Sequence, residues 1–157
     1  MPNSVADIAE RSLDLARFLP YRLSVLTNRI SSAIARTYSE RFDLTIPEWR
    51  VMAVLGGADG LSARDVAERT AMDKVQVSRA ITRLAEKKRV QRATDTEDAR
   101  FARLSLTTRG RAIYDEIVPL ALGLEDILIA ALTPSERASL ERIMEKLARQ
   151  VHLLGAE

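Results

Sequence analysis

Residues 62–106 constrain this chain more than any other stretch, because three short-range signals within them share one joint solution. Ser62 followed by Asp65 has the spacing of a capping box, in which hydroxyl and carboxylate satisfy each other's backbone N–H groups, so a helix starts there. Asp73 is a second strong N-cap and opens a helix that the pattern carries to about Lys87. Val90–Ala93 and Ala102–Leu106 then read as strands, with Ala102, Leu104 and Leu106 predicted inward and Phe101, Arg103 and Ser105 outward. Two short helices on a tight turn, followed by a hairpin, predict a winged helix-turn-helix lobe.

The second helix divides cleanly when about 100° is counted per residue. Val77, Ala80, Ile81 and Leu84 share one sector and are expected to pack on Val66 and Ala67. Gln76, Arg79, Thr82 and Arg83 take the opposite sector, with Lys74 and Ser78 at its N-terminal edge. Arg matches guanine O6 and N7, Gln matches adenine N6 and N7, and Lys and Ser hold phosphate. Lys74, Gln76, Ser78, Arg79 and Arg83 are therefore the candidate major-groove contacts. An ordinary amphipathic helix with a solvated face satisfies the same pattern, so the helix pair alone leaves both readings open.

The hairpin favours the first of them. Its connection, residues 94–100, is too polar for a core and ends in Arg100, which suits a narrow, electronegative minor groove. Asp98 stands two residues earlier, where it can brace that guanidinium by a charge-assisted hydrogen bond. A surface hairpin whose charges only aid solubility is the competing view. Charge distribution weighs against it. Between Lys74 and Arg111 there are eleven Lys or Arg and four acids, a local net charge of +7, which leaves −5 on the remainder. A net charge of +2 thus conceals one concentrated basic segment, as expected of a nucleic-acid-binding face.

Other classes are disfavoured by what the 157 residues contain. Hydrophobic residues make up 46% and charged residues 29%, enough for one domain with a real core. No apolar run reaches the roughly 18 residues needed to span a bilayer, and no secretory h-region opens the chain, so a cytoplasmic location and no membrane partner are expected. Zero cysteines exclude disulfides, thiolate metal sites and thiol-based redox sensing. The single histidine, His152, has no cysteine to pair with, and no nucleophile elbow or Gly-rich phosphate loop is present. The expectation is neither an enzyme nor a protein with a metal or other cofactor.

Flanking segments read as long helices. One runs from near Pro20 to Phe42 with Leu23, Leu26, Ile30, Ala33 and Ile34 on a stripe. Thr45-Ile46-Pro47-Glu48 is a capping-box start for a helix that stops at Gly56-Gly57. Ile113, Ile117, Leu120, Leu124, Ile127 and Ala131 alternate at spacings of four and three. Thr133 and Glu136 then cap a last helix carrying Leu140, Ile143, Met144, Leu147, Val151 and Leu154. These stripes exceed what one small lobe can cover, so two chains are expected to interlock through them. An intrachain helix pair is the alternative.

From about Phe18 to Leu154 the chain resembles the MarR family of winged-helix transcriptional regulators. The resemblance rests on Asp95-Thr96-Glu97-Asp98-Ala99-Arg100 with Leu104-Ser105-Leu106-Thr107-Thr108-Arg109-Gly110, similar to the family's wing tip and the helix start after it. Residues 61–67 and 73–79 are similar to its two helix-turn-helix segments. One departure is Lys88, where the family places Gly. A left-handed Lys costs about 1 kcal/mol, so the helix is expected to end differently there.

The resemblance implies a mainly α fold with a small β wing: one domain over 1–157, with a lobe at about 45–107 and dimerisation helices at about 5–44 and 108–155. It implies a homodimer on a pseudo-palindromic double-stranded site, acting as a repressor released by a small aromatic or phenolic ligand. The pocket in that architecture draws on Tyr21, Arg22, Arg29, Trp49 and Tyr114, where an aromatic wall with an Arg suits a carboxylate or phenolate. A different functional class remains beside it, a helical dimerisation or ligand-binding module using its winged helix for protein contacts.

Overall fold

The computed structural model describes residues 12–94 and 102–154. Its elements are α1 (Leu19–Phe42), α2 (Ile46–Gly57), α3 (Ala63–Thr70), α4 (Lys74–Glu86), β1 (Val90–Thr94), β2 (Ala102–Leu106), α5 (Thr108–Ile129) and α6 (Pro134–Leu154). The chain divides into two compact units, 1–114 and 115–157.

In the first unit, local signals set the helix starts. Thr45 and Glu48 form a reciprocal capping box on α2, and Ser62 and Asp65 form one on α3. Asp73 Oδ1 accepts from the backbone N–H groups of Val75 and Gln76, both at 2.9 Å, and so fixes the first turn of α4. Packing then closes over Tyr38, Val51, Met52, Leu55, Val66, Val77, Ile81 and Leu84, all buried. Each such side chain contributes about 1.5–3 kcal/mol of hydrophobic stabilisation.

β1 and β2 pair antiparallel, with Val90 opposite Leu106 and Thr94 opposite Ala102. A further rung joins β2 to the segment before α3, where Leu104 N–H donates to Leu61 O and Gly60 N–H to Leu104 O. Leu104 and Leu106 point inward, but Ala102, expected inward, is exposed, because at that level the hairpin has passed beyond the core.

The end of α4 corrects a second expectation. Lys88 does adopt the left-handed conformation, at φ +56°. Its N–H bonds Ala85 O, and that of Arg89 bonds Leu84 O at 2.8 Å, the paired pattern of a Schellman cap. These bonds, together with the burial of Arg89, hold a lysine where glycine is easier.

In the second unit, Thr133 and Glu136 form the capping pair of α6. None of the described residues of α6 is buried within the chain, and Ile143, Met144, Val151 and Leu154 are exposed. Among the described residues no single helix is long and apolar enough to cross a membrane.

Candidate nucleic-acid interface

Helix α4 turns two chemically opposite faces outward and inward. Val77, Ala80, Ile81 and Leu84 are buried. Lys74, Gln76, Ser78, Arg79 and Arg83 are all exposed, and none of these side chains has a hydrogen-bond or ion-pair partner among the described residues. Burial of the first set is what aims the second. Asp98 and Arg100 lie outside the described residues.

A cleft of about 500 Å³ opens beside α4, against the N-terminus of α3 and the hairpin. Its floor is apolar, with Val77, Ile81 and Leu104, and its rim carries Arg64, Lys74 and Arg92. Arg103 extends the basic surface along β2 and donates to the Gly60 carbonyl at 3.1 Å.

Two cations in the basic segment have been drawn into the fold. Lys87 Nζ donates to the Asp43 carbonyl at 2.6 Å and lies 3.0 Å from its carboxylate and 3.4 Å from Glu48 Oε1. Glu48 is fully buried, so Lys87 is the counter-ion that permits its charge there. The hydrogen bond and charge of Lys87 hold the Asp43 carboxyl below the usual carboxylate range. Arg89, also buried, donates to the same Asp43 carbonyl at 3.2 Å, and burial lowers its pKa. The local charge of +7 therefore overstates the cationic surface.

The five residues proposed from sequence for a ligand pocket fall into two groups. Trp49 lies 5.5 Å from the Tyr38 ring and stacks on Tyr114 at 6.0 Å. Arg111 covers Tyr114 at 5.2 Å, and Arg50 reaches Ser31 at 3.3 Å. Tyr21, Arg22 and Arg29 instead line a shallow groove of about 320 Å³ on α1 with Leu15 and Val25. Tyr38 was missed by sequence reading, since its ring meets Trp49 only once α1 and α2 pack.

The MarR family model matches residues 42–100. An HTH-type transcriptional repressor of Mycobacterium tuberculosis is 25% identical over 131 residues, covering 83% of this chain and 91% of that protein. Among solved structures, a MarR/EmrR family transcriptional regulator from Acinetobacter sp. ADP1 aligns with a TM-score of 0.82 and 26% identity, over 90% of this chain and 99% of the other. BpsR of Bordetella bronchiseptica, whose DNA binding is regulated by 6-hydroxynicotinic acid, aligns at 0.77 and 25% identity, over 88% and 98%.

Proposed function

This chain belongs to the MarR family of transcriptional regulators, and from that premise we propose a homodimeric repressor that reads a pseudo-palindromic duplex and is released by a small aromatic ligand. One observation carries the DNA reading: Lys74, Gln76, Ser78, Arg79 and Arg83 project together from α4 with no partner among the described residues. Folding has consumed Lys87 and Arg89 and left these five for another molecule. In this reading Arg79, Arg83 and Gln76 face base edges, Lys74 and Ser78 hold phosphate, and Arg100 braced by Asp98 enters the minor groove. The lobe spans about 45–107, with dimerisation helices at about 5–44 and 108–155, in one cytoplasmic domain of 1–157.

The homodimer is supported by the apolar residues that a single chain leaves exposed on α1, α5 and α6, among them Leu23, Leu26, Leu120, Ile127 and Ile143. A twofold pair of α4 helices fits half-sites about one helical turn apart. For the ligand, the Tyr38–Trp49–Tyr114 stack beside Arg50 supplies an aromatic wall and a cation, and the Tyr21–Arg22–Arg29 groove is the second candidate. A ligand acts by binding one spacing of the two α4 helices better than the other.

Selection of duplexes from a random pool by the purified chain, with affinity measured against salt, tests this. A palindromic consensus bound by two chains, with log K falling steeply against log salt, is expected. A shallow slope without palindrome preference favours a protein-contact module instead, and a single subunit in dilute solution excludes the dimer. Trp49, the only tryptophan, gives a fluorescence signal for titrating aromatic acids.

A further inference from the structure

Within the described part of the lobe, from Asp43 to Arg111, one large apolar side chain is left exposed: Val75, 58% accessible. The other exposed large apolar residues lie before Asp43 or after Arg111, on or beside the long helices. At about 100° per residue, Val75 points within about 10° of the direction opposite the mean of the four buried positions Val77, Ala80, Ile81 and Leu84. It therefore occupies the middle of the outward face of α4, in the first turn, flanked by Lys74, Gln76 and Arg79.

Nothing in folding accounts for a valine there. A β-branched residue lowers helix propensity, and an exposed one gains no packing in return. Its backbone N–H is held by Asp73 at 2.9 Å, so the residue is fixed in place.

We propose that Val75 is a specificity-determining residue that contacts the C5-methyl group of a thymine, the one apolar group on the base edges of the major groove. This inference rests on the DNA-binding reading of α4 and adds a base to it. Arg79 stands one turn further on the same side, so the thymine lies about two base pairs from the guanine that Arg79 reads.

The test removes the methyl from the DNA rather than from the protein. Each thymine of the duplex selected by the full chain is replaced in turn by deoxyuridine, and affinity is measured for wild type and Val75→Ala. One thymine per half-site is expected to lose about fourfold in affinity on losing its methyl, or about fifteenfold when both half-sites are changed. That loss should vanish in Val75→Ala, with losses at other thymines unaltered. Wild-type binding indifferent to every uracil, or a loss that persists unchanged in Val75→Ala, overturns the assignment while leaving DNA binding standing. Failure to bind any duplex overturns both readings.

Discussion

Lys87 Nζ, at the C-terminal end of α4, donates to the carbonyl oxygen of Asp43 at 2.6 Å, and Asp43 is itself left-handed at φ +48°. The same ammonium neutralises Glu48, whose other oxygen accepts from Thr45 N–H at 2.7 Å. One cation thus ties the end of α1 and the start of α2 to the end of α4.

Lys87→Met strips the buried Glu48 of its counter-ion. We expect a loss of about 2–3 kcal/mol, below the 3–5 usual for fully buried pairs because the Lys87 side chain is 28% exposed. Urea titration reads this loss. Arg83→Ala should do the reverse, leaving the urea midpoint nearly unchanged while weakening DNA binding by about 1–3 kcal/mol and relaxing the preference at one base.

Lys88→Gly relieves a left-handed lysine. The strain removed is about 1–2 kcal/mol and the added unfolded-state entropy about 0.4–1. A net gain of about 0.5–1 kcal/mol follows, visible as a higher denaturant midpoint at unchanged m-value.

Gly110→Ala should destabilise. A Cβ at this position would collide with the Arg89 backbone carbonyl, and that carbonyl is already held by Thr107 N–H at 3.0 Å. The loss expected from such overpacking is about 1–3 kcal/mol, with the same unfolding measurement as readout.

Tyr38 provides the pH dependence. Burial pushes its hydroxyl up to about 12, against a smaller opposing effect of Arg50. A folded pKa above the unfolded value near 10 gives stability fully present below pH 10 and lost as pH rises through 12. Tyrosinate absorbance should include a transition near pH 12 that Tyr38→Phe removes. Retention of that transition in the variant would contradict the burial argument.

What could be read from sequence is what depends on near neighbours. The capping pairs Thr45–Glu48, Ser62–Asp65 and Thr133–Glu136 each span three residues, and all three form. The inward face of α4 follows from helical period alone, and the span of β2 from alternation between turn-rich flanks. Lys87 and Arg89 escaped because their partner Asp43 lies 44 and 46 residues away, so a basic run gave no sign that two of its cations turn inward. Tyr21 and Trp49 were grouped through the family resemblance, and within one chain about 25 Å of helix separates Tyr21 from Tyr38, the residue Trp49 meets. Val75 went unremarked because its significance is its isolation, visible only once the other large apolar residues among the lobe's described positions had found cover.

The rung between Leu61 and Leu104 has a mechanical corollary. It fastens the stem of the hairpin to the residue just ahead of the Ser62 cap, with Arg103 holding the Gly60 carbonyl as a second rivet. A displacement of β2 is therefore delivered to the residues that start α3. The base of the hairpin and the start of α3 are thus coupled, and a substitution that loosens Gly60 is expected to weaken that coupling.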